Sequence, residues 1–144
     1  MNTKPIVRNA IPQDVREVIE LLKKSDLFLE GAESFDIFVD KIRFDPQSII
    51  ISEIDNKLVG VIFFIYDPWV SLIYHLCVHE DYRGQGIASL LIKEAESKCR
   101  WYGTANIVGY IDQENNASRK LATKLDYVEW PNTLVLILKR FKEE

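Results

Sequence analysis

The chain has 144 residues, 47% of them hydrophobic and 28% charged, with a formal net charge of −4 at pH 7. That length supports one domain with a real core, and the acidic balance excludes general nucleic-acid binding, which needs a basic footprint. No apolar run approaches the roughly 18–20 residues of a membrane span. The opening MNTKPIVRNAIPQD lacks the apolar centre of a secretion signal, so a cytoplasmic chain with no membrane partner is expected.

In chain order, residues 5–9 read as a short strand. Pro12 fits the first position of a helix running to about Lys24, with Val15, Val18, Ile19, Leu21 and Leu22 on its apolar face. Residues 25–34 form a connection. Ser34 suits the N-cap of a second helix, in which Phe35, Phe38, Val39 and Ile42 recur at helical spacing and which Pro46 ends. Residues 48–54 and 57–66 read as the arms of a hairpin about Asp55-Asn56. Asp67-Pro68 then turns the chain into a strand at 70–78. A glycine-rich turn opens a helix that runs to about Tyr102. Ile87, Leu90, Leu91, Ala95 and Cys99 form its buried face, and Lys93, Glu94, Glu96, Lys98 and Arg100 its solvated side. Residues 104–111 read as a strand. Asn115 or Asn116 starts a helix ending near Leu125, with Asp126 at the stop position, and residues 127–130 and 134–141 read as a hairpin about Pro131-Asn132. The order β-α-α-β-β-β-α-β-α-β-β predicts a single α/β domain over residues 1–144. Its central sheet is mixed and mostly antiparallel, flanked by helices, with one parallel crossover through the helix at 86–102.

The turn carries the chemistry. Arg83-Gly84-Gln85-Gly86-Ile87-Ala88 sits between the strand at 70–78 and a helix N-terminus. Amides there lack intrahelical partners and the helix dipole favours an anion. Glycine also allows backbone angles that other residues resist. Residues 83–89 (Arg83, Gly84, Gln85, Gly86, Ile87, Ala88 and Ser89) therefore read as a cradle for a pyrophosphate. A dinucleotide fold is the poorer match: Gly84-x-Gly86-x-x-Ser89 fails at its third glycine and sits in mid-chain after a hairpin. A P-loop is excluded, because no Gly-Lys-Ser/Thr follows. Cys77 and Cys99 fall inside apolar patterns and read as buried free thiols in a reducing compartment; no metal is expected.

This element order, with RGQGIA between the fourth strand and the third helix, resembles the GNAT superfamily of N-acetyltransferases. Arg83, Gly86 and Ala88 occupy the defined places of its Arg/Gln-x-x-Gly-x-Gly/Ala pattern. Asn115-x-x-Ser118-x-x-Leu121-Ala122, followed by Asp126-Tyr127, matches the frame of its second hallmark helix and departs at three later positions. The resemblance implies acetyl-CoA as co-substrate, lying where the fourth and fifth strands splay. Its pantetheine arm would pair with Leu76, Cys77 and Val78, its pyrophosphate would lie on residues 83–89, and Asn115 and Ser118 would help hold the arm. Backbone N–H groups of Cys77 and Val78 are the expected oxyanion donors. The expected reaction is direct acetyl transfer to an amine, with neither a covalent acyl-enzyme nor an acyl group carried on Cys77.

The proton acceptor has no obvious owner. Leu72 cannot take a proton. Tyr74 can relay one through water and is the candidate catalytic residue. His75 is sent to the opposite face by strand alternation, so it reads as a satisfied core histidine, and His79 as structural or solvated. Ordered water without a dedicated side chain is the alternative. The tyrosine that protonates the leaving thiolate in this family falls on Ala122, with Tyr74 or Tyr110 as substitutes and Tyr127 in a core slot. That gap supports a rival, a non-catalytic acyl-CoA-binding module. Asp26, Glu30, Glu33, Asp36 and Asp40 read chiefly as a solvated turn and helix start, and otherwise as a mouth for a cationic amine. Trp69 is either a pocket wall or a turn-packing residue. Arg119, Lys120 and Lys124 read chiefly as a solvated face, and otherwise as contacts for the cofactor's phosphates. Paired C-terminal strands would make a homodimer.

Overall fold

The computed structural model describes residues 4–129 and 139. They form five strands, β1 (Ile6–Asn9), β2 (Ile49–Ile54), β3 (Lys57–Ile65), β4 (Val70–Val78) and β5 (Asn106–Gly109), and four helices, α1 (Val15–Lys24), α2 (Phe35–Phe44), α3 (Ile87–Tyr102) and α4 (Asn116–Lys124). The sheet order is β1-β2-β3-β4-β5; the first three pairings are antiparallel and β4–β5 is parallel. The chain divides into two compact units, Met1–Tyr110 and Ile111–Glu144. The sheet and α1–α3 lie in the first and α4 in the second.

Local chemistry explains most of these elements. Ser34 Oγ accepts from the Ile37 N–H at 3.2 Å and caps α2. Asp55 and Asn56 both take positive φ, 50° and 63°, as a tight two-residue hairpin requires. Val15, Val18, Leu21 and Leu22 of α1 and Phe38, Val39 and Ile42 of α2 bury against Ile49, Ile51, Val61, Phe63 and Cys77 on one face of the sheet. Gly60 presents the other face to α3. A β-carbon there would meet Leu91 Cδ1 at 3.0 Å and Ile87 Cγ2 at 3.1 Å, so the absent side chain lets the first turns of α3 settle on β3.

Several expectations are corrected. Pro12 opens a separate 3-10 turn, Pro12–Asp14, and α1 starts at Val15. Phe35, the first residue of α2, is 42% exposed, because the first turn projects beyond the core. On α3, Ile92 is buried and Leu90 is 38% exposed. Both flank the Ile87–Leu91–Ala95–Cys99 spine, but the sheet covers only one flank. The fifth strand is confined to residues 106–109 rather than 104–111. Residues 127–129 adopt no strand, and the rest of the expected C-terminal hairpin, with the homodimer it suggested, lies outside the described residues. None of the helices among the described residues is long and apolar enough to cross a membrane.

Candidate functional site

β4 changes character half-way along. Residues 70–73 pair with β5, from Val70↔Asn106 to Ile73↔Gly109, and Leu72 and Ile73 pair with β3 as well. Beyond Ile73 the parallel pairing stops, so residues 74–78 have a strand on the β3 side only among the described residues. A strand edge of this kind presents N–H and C=O groups that need partners. His79 N donates to Val59 O at 2.7 Å, and Cys77 stands opposite Val61 in the same register. Antiparallel bonding recurs at every second residue, so the Cys77 N–H also faces β3. The open-edge donors are those of Leu76 and Val78. The Cys77 N–H, expected as an oxyanion donor, therefore points away from the open edge.

The glycine turn follows at once. Gly84 and Gly86 take φ of 77° and 83°, angles that penalise any side chain, and an added β-carbon at either would meet nothing within 4 Å. Their need for glycine is conformational, and the space beside them is open. Gly86 is the N-cap of α3, has no side-chain cap and is followed by no acidic residue in the first turn. The amides that follow it are thus left for an anion. Arg83 Nε donates to Val78 O at 3.0 Å and fastens the loop to the end of β4. His79 is structural, as expected, its Nδ1 accepting from Asp81 N at 3.2 Å.

The largest departure from the sequence reading lies at the N-terminal end of the open edge. Register runs Val61↔Cys77 and then Phe63↔Tyr74, so β4 carries a bulge in which His75 and Leu76 oppose the single residue Ile62. His75 has φ 51°. Strand alternation is broken there, and Tyr74 and His75 fall on the same face rather than on opposite ones. Their ring centroids are 5.1 Å apart and both touch Phe63, at 5.4 and 5.2 Å. His75 Nε2 lies 2.5 Å from Glu33 Oε2, with both side chains only 10% exposed. Glu33 Oε1 accepts from the Leu29 N–H at 2.9 Å. The other four carboxylates of the acidic segment are exposed, as a solvated turn requires, whereas Glu33 is drawn inside.

Burial, and secondarily the charge of Glu33, push the Tyr74 phenol well above its ordinary range. Tyr74 therefore keeps its proton and suits donation, not the base role allowed by sequence. Lys41 of α2, which the sequence reading did not single out, lies over the Tyr74 ring at 5.4 Å and donates to Phe64 O at 2.9 Å. Burial lowers its ammonium pKa to about 8. The Cys77 thiol points toward α1, sharing a hydrogen bond with Ser25 Oγ at 3.0 Å, and burial raises its pKa. Both observations suit a buried thiol that carries no acyl group. Trp69 does not pack the turn: it is 75% exposed among the described residues, and Asp67 Oδ2 holds the turn by accepting from the Trp69 and Val70 amides.

In the second unit Asn115 caps α4, its Oδ1 accepting from Ser118 N at 3.1 Å. The Asn-x-x-Ser frame thus has a local structural use. Arg119 is held by Glu129, at 2.6 and 3.0 Å, and by Gln113 O, so it is not a free solvated cation. Asp126 ends the helix at φ 69°, the stop expected of it.

An open strand edge leading into an uncapped, glycine-angled helix start fits an elongated ligand with amides in its arm and a diphosphate at its end. Comparison with known proteins gives that ligand its class. The acetyltransferase (GNAT) family model matches residues 15–127. An acetyltransferase of Photorhabdus laumondii is 32% identical over 127 residues, covering 88% of this chain and 89% of the relative. The structure of Ard1 from Thermoplasma volcanium superposes with a TM-score of 0.75 at 21% identity, over 86% of this chain and 82% of that one. That of yncA from Salmonella typhimurium, solved with its cofactor acetyl-CoA, gives 0.73 at 18%, over 88% and 80%. The chain belongs to the GNAT family, has its fold and is an acetyl-CoA-dependent acetyltransferase.

Proposed function

We propose that this GNAT-family acetyltransferase moves the acetyl group directly onto a primary amine of a small molecule or peptide. The open half of β4, running from the bulge to the glycine turn, is the observation that carries this reading. Acetyl-CoA supplies the activated thioester. Val78 by its open-edge amide and Leu76 by its carbonyl would hold the pantetheine arm, with Cys77 between them packing the strand on α1. The backbone of Gly84, Gln85, Gly86, Ile87, Ala88 and Ser89 would hold the pyrophosphate, with Arg83 bracing the loop from Val78 O. The family frame adds Asn115 and Ser118. Residues 74–78 span roughly 13 Å, so an arm fixed at the turn brings its acyl end back to Tyr74 and His75.

The acceptor nitrogen bonds to the acetyl carbon as the carbon–sulfur bond breaks. An ammonium acceptor loses two protons in all: one leaves to solvent and the other ends on the departing sulfur. Leu76 N–H, the open-edge donor nearest the bulge, would steady the carbonyl oxygen as it gains charge. Tyr74, which holds its proton, would donate to the sulfur, a role vacant at Ala122. Two free buried thiols fit a reducing, cytoplasmic setting.

The test is a CoA-release screen over polyamines, amino acids, peptide N-termini, lysine peptides and aminoglycosides. Release that requires one class of amine, with an acetylated amine as product, is the expected result. Tight acetyl-CoA binding with no amine-dependent release would leave only a binding module.

A further inference from the structure

A buried imidazole–carboxylate pair is an expensive way to fill a core. Desolvating it costs more than packing apolar side chains of the same volume, and here the backbone adds a bulge and a positive φ at a non-glycine residue. The bulge brings His75 onto the Tyr74 face, two residues beyond the last β4–β5 pair. That is also where the acyl end of an arm laid along the open edge arrives.

We infer that His75 accepts the proton of the acceptor amine, and that Glu33 is the positioning residue that holds its ring. The inference rests on the amine reading given above. Glu33 Oε1 is fixed by the Leu29 amide, leaving Oε2 for His75 Nε2. An ionised carboxylate only accepts hydrogen bonds, which assigns the hydrogen to Nε2 and leaves the Nδ1 lone pair as the base. The ammonium gives one proton to Nδ1. The resulting imidazolium is stabilised by the Glu33 carboxylate, and that proton then leaves to solvent, while the second proton leaves the nitrogen to replace the one that Tyr74 gives to the departing sulfur. The polar groups facing the ring are Glu33 from the α1–α2 connection and Tyr74 from β4. Lys41 of α2 lies over the Tyr74 ring, and β3 presents the apolar Phe63.

The experiment compares wild type, His75→Gln and Glu33→Gln in three readouts: imidazole ¹⁵N NMR of the free protein, calorimetric CoA affinity, and kcat/KM for an accepted amine across pH. Wild type should show the Nε2–H tautomer, and Glu33→Gln should lose that preference. CoA affinity should stay within about threefold in both variants. His75→Gln should lower kcat by about 10²–10⁴-fold and abolish the rising limb of the pH profile. Glu33→Gln should lower kcat by at least about 10²-fold with KM for acetyl-CoA unchanged, through loss of the productive tautomer. A folded, CoA-binding His75→Gln that keeps its kcat and its rising limb overturns the inference while the amine reading stands. If His75→Gln does not fold, a Glu33→Gln enzyme with wild-type kcat and pH profile overturns it equally. A wild type that binds acetyl-CoA but acetylates no amine overturns both.

Discussion

The two halves of β4 are nine consecutive residues of similar composition put to opposite uses. Residues 70–73 are paired with β5, Leu72 and Ile73 with β3 as well, and Ser71 and Ile73 are buried. Residues 74–78 are, among the described residues, paired on one side only, carry the bulge and end at the glycine turn. In the first half the fold itself supplies the partner strands. In the second no partner strand lies on the far side among the described residues, and in the proposed reading the open groups become the means of recognition. Gly109 marks the boundary. A β-carbon there would meet Ile73 Cγ1 at 3.2 Å, so glycine lets β5 close on β4 at the last paired position.

If that division is right, substitutions in the two halves separate stability from binding. Ile73→Ala should give the largest effect, lowering unfolding stability by about 2–5 kcal/mol in denaturant titration while leaving CoA affinity of the folded protein unchanged. Gly86→Glu should do the reverse. It forces a side chain onto φ 83° and a negative charge onto the cradle, so calorimetry should show a loss of CoA affinity of about 10²-fold or more, with stability down by only about 1–2 kcal/mol.

Lys41 sharpens the comparison from below. Its ammonium pKa falls from an ordinary 10.5 to about 8 because it is buried under the open half. Below pH 8 it is charged in both states, and the folded state bears the cost of burial. Between about pH 8 and 10.5 the unfolded chain binds a proton that the folded chain lacks, so stability rises with pH. From pH 7.5 to 9.5 the wild type should gain about 2 kcal/mol relative to Lys41→Met, read from melts of the two proteins in matched buffers. Tyr74→Phe should leave stability and CoA affinity almost unchanged and lower kcat by about tenfold or more, as loss of a proton donor would. The smallest effect is expected at Ala122→Tyr, which should leave turnover unchanged or raise it modestly; a sharp fall would mean that the acceptor uses that space.

How well each half could be read from sequence follows from where its determinants lie. The bounds of β4 and α3, the caps at Ser34 and Asn115 and the glycine turn are local, written in patterns of a few residues, and they appear where expected. The bulge is not local. SLIYHLCV alternates acceptably as a regular strand, and nothing nearby marks His75 as the residue that breaks it, except that histidine tolerates positive φ better than its apolar neighbours do. Its partner Glu33 is 42 residues away, in a run of carboxylates that looks uniformly solvated. Tyr74 was visible as a candidate, but only its burial shows that it holds its proton. Lys41 was hidden among the charges of α2, because the pattern of a helix does not say which cation folds inward.

Amide hydrogen exchange, followed residue by residue with and without acetyl-CoA, tests the central claim most directly. The account predicts that exchange slows at Leu76, Val78 and the amides of residues 84–89, while residues 70–73 are unaffected. Bound acetyl-CoA that leaves Leu76 and Val78 exchanging at their free rates would contradict it.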